Sequence, residues 1–233
     1  MRARLPFRRH RRRDPGHYPP GPLRELAAAA PPGDATAVAA VELFALDVET
    51  TGLDPRSDHV LSIGWVPVIG GEIVLAEACE LTVRPPDDVD VGASATFHRI
   101  TDDQVAYAAP LADVLPRLLG ALHGRVLLAH HAPLELGFLG EAALAAYGAR
   151  PPLIAVDTMA LQRRLLPTDQ HEVGGSLRLD AARSSFGLPR YTAHHALTDA
   201  LAAAELFLAQ VAELERRLGR EVVLRDLSPM RSG

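Results

Sequence analysis

Hydrophobic and polar positions alternate along residues 41–49. Val41, Leu43, Ala45, Asp47 and Glu49 fall on one face of an extended chain, and Phe44, Leu46 and Val48 on the other. Both faces are apolar until the two acids appear, so the pattern predicts a central strand covered on both sides. Further strands are predicted over 59–68 and 72–83, and Gly70-Gly71 between them suits the turn of a hairpin. Residues 111–122 carry apolar side chains at helical spacing, and 125–129 and 153–156 are short apolar runs that read as buried strands. A helix over 133–147 opens on Pro133, where a missing N–H costs nothing, and closes before Gly148. Two short helices over 158–166 and 176–186 precede a long one over 195–218 that ends at Gly219. The order is β-β-β-α-β-α-β-α-α-α. An antiparallel three-strand meander feeding βαβ units predicts an α/β fold, with a mixed five-stranded sheet and helices on both faces.

Composition refines this picture at the ends of the chain. Of 233 residues, 48% are hydrophobic, enough for one sizeable core. Residues 1–38 are rich in Arg and Pro and include an Ala run, so they read as a flexible extension before a domain spanning 39–219 and a short tail over 220–233. Every basic residue is Arg. The first 40 residues hold eight Arg against Asp14, Glu25 and Asp34, a balance of +5; the remainder holds 16 Arg against 26 acids, a balance of −10. A domain that grips duplex along its length shows a basic footprint, and the body of this chain does not. Nucleic-acid contact is then confined to a short strand or an end, to bound cations, or to the Arg-rich arm. Cys79 is the only cysteine, so no intrachain disulfide forms and a reducing compartment, the cytoplasm, is expected. No apolar run approaches the ~20 residues of a membrane span. The acid-poor, Arg-rich start has the charge of an organelle transit peptide, but Pro19, Pro20 and Pro22 oppose that reading.

Three stretches carry candidate chemistry. In FALDVETTGLDP (44–55), Asp47 and Glu49 project from the same face, close enough to repel, and a hard divalent cation is the usual remedy for such a pair. The Thr50-Thr51-Gly52 turn would expose backbone N–H groups to a phosphate or a terminal nucleotide. The alternative is a pair of acids that merely ends a strand. In LLAHHAPLELGFL (127–139), Glu135 lies in the first turn of a helix beside a strand's C-terminal end, where ligands gather in open α/β sheets. Acids also favour that turn for dipole reasons alone. In HHALTDA (194–200), residues five apart do not share a helical face. His194 is therefore placed just before the helix and turned back toward Asp199, whose neighbours Ala196, Leu197, Ala200 and Leu201 are apolar. A buried acid needs a partner or a metal; the plain reading of His194 is a surface or capping residue.

Together, in this order and on these elements, the stretches resemble one family. Asp47-x-Glu49-Thr50-Thr51-Gly52, His130 to Leu139, and His194-x-Ala196-x-x-Asp199-Ala200 look like the three motifs of the DEDDh 3′→5′ exonucleases, whose members include the proofreading epsilon subunit of bacterial DNA polymerase III and ribonuclease T. FHRITDDQV (97–105), AVDTMALQRRL (155–165) and LRLDAARSSFGL (177–188) are similar to smaller segments of that family. One departure stands out: Glu135 occupies the place where the second motif usually carries Asp, and Leu134 replaces Phe.

The resemblance implies a ribonuclease H-like fold and a phosphodiester hydrolase that removes nucleoside 5′-monophosphates from single-stranded DNA or RNA 3′ ends. It implies two divalent cations, Mg²⁺ or Mn²⁺, held by Asp47, Glu49, Glu135 and Asp199, with His194 as general base. It implies that Thr50, Thr51, Leu53, His98 and His130 contact the terminal nucleotide. A DNA polymerase or repair complex is an implied partner. Only 14 residues follow Gly219, fewer than the polymerase-binding segment of the epsilon type, so a stand-alone enzyme or a contact through the N-terminal arm is expected. A weakened domain that binds ends or a polymerase without cutting is the alternative that Glu135 leaves open.

Overall fold

The computed structural model describes residues 14–87, 89, 105–166, 176–192 and 194–232. The strands are β1 (Leu43–Thr50), β2 (Val60–Ile69), β3 (Glu72–Ile73), β4 (Cys79–Arg84), β5 (Ala109–Pro110), β6 (Val126–Ala129), β7 (Ile154–Asp157) and β8 (Met230–Arg231). The helices are α1 (Pro22–Ala28), α2 (Leu111–Leu122), α3 (Pro133–Tyr147), α4 (Thr158–Leu165), α5 (Leu179–Ser185) and α6 (Ala196–Leu218). The sheet runs β5-β4-β2-β1-β6-β7-β8, with β3 paired to β2. β1, β2 and β4 form the antiparallel meander, while β6 and β7 lie parallel to β1. The five predicted strands are therefore its body, and the two-residue strands β3, β5 and β8 extend it.

The alternation in β1 sorts the core into two layers. Phe44, Leu46 and Val48 pack with Leu115, Leu118 and Leu119 of α2 and Phe138 and Leu139 of α3. Leu43 and Ala45 face the other way, with Leu161 of α4 and Ala204 and Phe207 of α6. Asp47 and Glu49 continue this second face, so the acids emerge beneath α6. Gly148 and Gly219 end α3 and α6 in the left-handed conformation that glycine adopts without strain (φ 70° and 65°).

The structure departs from the sequence reading in three places. The strand predicted over 72–83 is split by a 3-10 turn at Leu75–Glu77, where Glu77 leaves the sheet to pair with Arg125 at 2.8 Å. Residues 14–38 are not a loose extension: Tyr18, Leu23, Leu26, Ala27 and Val38 are buried, and α1 lies on α2. Nor is the C-terminal stretch a free tail. Val222, Leu224 and Leu227 are buried, Val38 donates its amide to the Val222 carbonyl at 2.9 Å, and β8 pairs with β7. Among the described residues no helix is long and apolar enough to cross a membrane.

Candidate active site

Two local features bring distant acids together. The first is a register shift at the end of β1: Glu49 pairs with Ser62 but Thr50 with Val60, leaving Leu61 as an extra residue on β2. Such bulges bend a strand and re-aim its last side chains. The second is Gly64, which sits opposite Asp47 on β2. A Cβ at this position would lie 2.1 Å from the Leu197 amide nitrogen and 2.2 Å from the Ala196 carbonyl carbon. The absent side chain is what lets the start of α6 lie directly on the sheet. The buried alanines Ala196, Ala200 and Ala203 keep the helix side of that contact equally small.

Helix α6 starts without a side-chain cap. Instead the Asp199 carboxylate turns back and accepts the His194 amide at 2.9 Å. His194 takes the left-handed conformation (φ 69°), which a non-glycine residue holds only when its surroundings fix it. Next to it, His195 Nε2 lies 3.3 Å from Glu80 Oε2, and the other Glu80 oxygen accepts the Ser62 hydroxyl at 3.2 Å. The result is a cluster in which ligand atoms of Glu49, His194 and Asp199 all lie within 4.8 Å of one another. Asp47 and Glu135 stand around this group without joining it at that distance.

The electrostatics follow from crowding and burial. Loss of hydration pushes the Asp47 carboxyl well above the ordinary carboxylate range, and the charges of Glu135, Glu49 and Asp199 push it further. Asp199 is also raised, first by burial and then by Glu49, against the pull of the amide it accepts. Glu135 is 1% exposed; burial raises its carboxyl to about 8 despite its own backbone amide, and the charge of Asp157 adds to the shift. Its Oε2 is buried with no hydrogen-bond partner. Among the described residues, no arginine pairs with Asp47, Glu135 or Asp199. Clustered carboxylates of this kind fit a divalent cation with oxygen ligands.

The remaining sequence-predicted positions divide. Leu53 is 78% exposed on the loop after β1. Thr50 and Thr51 shape that loop rather than leaving groups free. The Thr50 hydroxyl donates to the Gly52 carbonyl. The Thr51 amide donates to the His59 carbonyl at 2.9 Å, and its hydroxyl accepts the His59 amide at 2.9 Å. The expectation of an open amide at Thr51 is thus corrected. His130 is also committed internally: Nδ1 lies 2.8 Å from the Thr158 hydroxyl and Nε2 2.8 Å from the Leu177 carbonyl. A carbonyl only accepts, so Nε2 carries the proton and Nδ1 receives the hydroxyl; burial lowers the imidazole's affinity for a second proton. Both nitrogens are used in holding residue 177 to the end of β6, so any contact of His130 with a nucleotide would be made by the ring face and carbons rather than by a free nitrogen. His98 lies outside the described residues.

One residue escaped the sequence reading. Asp157, at the end of β7, accepts the amides of Met159 at 2.9 Å and His131 at 3.0 Å, and its charge bears on Glu135. The signal was present as an acid between a strand and a helix, but it reads equally as an ordinary N-cap.

The sheet order and the helices packed on it define a ribonuclease H-like fold. The RNase_T family, described as Exonuclease, matches residues 44–207. DNA polymerase III PolC-type of Thermotoga maritima is 31% identical over 197 residues, covering 84% of this chain and 13% of that protein. The chain thus spans about an eighth of the length of the PolC-type relative. Exonuclease X, solved in complex with 5′ overhanging duplex DNA, is 26% identical with a TM-score of 0.59 over 79% of this chain and 96% of its own. The nuclease domain of 3′hExo, described as a DEDDh family member and bound to rAMP, shares the fold at 15% identity, with a TM-score of 0.62 over 85% of this chain and 99% of its own. The chain belongs to the RNase_T exonuclease family.

Proposed function

We propose that this chain is a divalent-cation-dependent 3′→5′ exonuclease that releases nucleoside 5′-monophosphates from single-stranded nucleic acid, DNA in preference to RNA. The convergence of Glu49, His194 and Asp199 to within 4.8 Å carries the reading, and family membership supports it. Asp47, Glu49, Glu135 and Asp199 are the residues that would hold Mg²⁺ or Mn²⁺; the buried, unpartnered Oε2 of Glu135 marks an acid without a counter-charge from the protein. Two ions are the number the family resemblance implies. When bound, the cations supply positive charge to the phosphate and make water a better acid.

The chain's own groups account for the rest. His194, exposed at the mouth of the cluster, accepts the proton of the attacking water at a ring nitrogen; an imidazole suits that role near neutral pH. The Asp199 carboxylate holds the His194 amide and so fixes where the ring stands. Leu53 offers an apolar surface to a terminal base. His130 and Thr158 keep the chain around residue 177 against the end of β6.

A polymerase-associated role has one observation in its favour: in the Thermotoga relative the matching segment is part of a DNA polymerase III chain. The decisive experiment digests matched 5′-labelled DNA and RNA oligonucleotides with Mg²⁺ and with Mn²⁺, products read by mass. Stepwise loss of monophosphates is expected, abolished in Asp47→Ala and Asp199→Ala while circular dichroism is unchanged. Undiminished digestion by either variant removes the reading.

A further inference from the structure

A second charged feature lies outside the acid cluster. A cleft of about 180 Å³ opens between the loop after β1, the end of β4 and the middle of α3, lined among others by Pro55, Arg56, His59, Arg84 and Phe138. β4 runs parallel to β1, since both pair antiparallel with β2, so Arg84 ends its strand at the same edge of the sheet as Glu49 and Thr50. Both guanidinium groups are exposed. Among the described residues neither makes an ion pair or a side-chain hydrogen bond, whereas Arg125, Arg150, Arg183, Arg216, Arg217, Arg220 and Arg231 are paired.

The acids that share the cleft are already engaged. Glu141 is held by Arg150 at 2.6 Å. Asp58 accepts the Asp54 amide at 2.8 Å and the Thr51 hydroxyl at 3.3 Å. Gly52 makes room for that carboxylate, since a Cβ there would lie 2.5 Å from it. Asp58 is thereby tied into the loop that carries Leu53. On a body with a net charge near −10 by sequence, two uncommitted arginines facing one cleft form a local positive field. Guanidinium is the cation whose fork of donors matches phosphate oxygens.

We propose that Arg56 and Arg84 form a phosphate-binding subsite for the nucleic-acid backbone, beside the acid cluster and separated from it by the loop bearing Leu53. The proposal rests on the exonuclease reading for the identity of its ligand. The phosphates come either from the same strand, upstream of the bond being cut, or from a complementary strand.

Binding measured in the presence of a chelator, where no hydrolysis occurs, tests the subsite apart from catalysis. Fluorescence anisotropy is followed against salt for a long single strand and for a duplex with a single-stranded 3′ end. R56Q/R84Q should flatten the plot of log affinity against log salt by about 1.4, from two contacts at ~0.7 each on a single strand. The control R163Q/R225Q removes two exposed arginines elsewhere and should leave the slope alone; unchanged thermal midpoints show that all variants fold. A loss seen with the single strand assigns the cleft to the upstream backbone, and a loss confined to the duplex assigns it to the second strand. An unchanged slope with both ligands, an equal loss in the control pair, or no binding by the unaltered chain overturns the subsite. Catalysis is judged separately, by whether the unaltered chain with Mg²⁺ or Mn²⁺ shortens an oligonucleotide, so either idea can fail without the other.

Discussion

At the scale of single residues, the position of Glu135 is the test of how far this site departs from its family. Its carboxylate starts from the first turn of α3 and is one methylene longer than the Asp usually found there. It is buried, one oxygen lacks a partner, and its charge adds to the shift on Asp47. If it is a cation ligand, Glu135→Ala should weaken Mn²⁺ binding and cation-dependent turnover by about tenfold or more, the scale on which even outer-shell partners matter, while Glu135→Asp retains a measurable part of both. Titration with Mn²⁺ followed by electron paramagnetic resonance, beside initial rates, separates binding from chemistry; Glu135→Ala with wild-type values in both would remove Glu135 from the site. His130 teaches the converse. It lies in the second motif and reads from sequence as a substrate contact, yet its two nitrogens are spent on Thr158 and Leu177. A motif names residues that occur together; only the hydrogen bonds tell which of their polar atoms are already engaged.

At the scale of elements, the close approach of α6 to β2 makes the site, and Gly64 permits it. Gly64→Ala forces the Ala196–Leu197 backbone away from a Cβ that would otherwise lie about 2 Å off, carrying Asp199 and His194 from Asp47 and Glu49. Overpacking of this kind costs about 1–3 kcal/mol, so the urea midpoint should fall measurably and activity far more. Equal activity in the variant would show that the helix tolerates the shift. Periodicity made much of this frame legible. The alternation in β1 already placed Asp47 and Glu49 with Leu43 and Ala45, and the spacing of His194 and Asp199 already required a break before α6. What stayed hidden depends on partners distant in sequence. α1 is seven residues long, too short for a periodic signal, and its Leu23 and Leu26 are recognisable as core only once α2 lies beneath them. The turn at Leu75–Glu77 is closed by the Glu77 amide on the Val74 carbonyl at 3.0 Å, while the partner its side chain reaches, Arg125, lies 48 residues away in sequence. Leu23→Ala should therefore cost about 2–5 kcal/mol, the range for a buried leucine, against about 0.5 kcal/mol or less for a free tail. A chemical denaturation midpoint near wild type would return residues 14–30 to the status of an extension.

At the scale of the whole molecule, clustered acids tie stability to pH and to cations. Asp47, Glu135 and Asp199 all have carboxyls raised in the fold, Glu135 from 4.5 to about 8. A raised carboxyl keeps a proton in the folded chain that the unfolded chain has released, so the folded state binds more protons across that interval. Its contribution is fully present below the ordinary carboxylate value and is lost as pH rises through the folded value. Without divalent cations, thermal stability should fall between roughly pH 5 and 8 by an amount on the order of a few kcal/mol, since each unit of difference is worth about 1.4 kcal/mol. A cation that binds the ionised carboxylates acts in the opposite sense: it displaces the protons and stabilises the fold by about 2.7 kcal/mol at a hundredfold excess over its dissociation constant. The shift produced by Mn²⁺ should therefore be small at pH 5 and grow toward pH 8, and Glu135→Gln, neutral at every pH, should flatten the cation-free curve. Scanning calorimetry of both proteins across this range, with Mn²⁺ and with chelator, reads all four arms. A cation effect independent of pH would mean that the ion binds elsewhere and that the raised acids serve the fold alone.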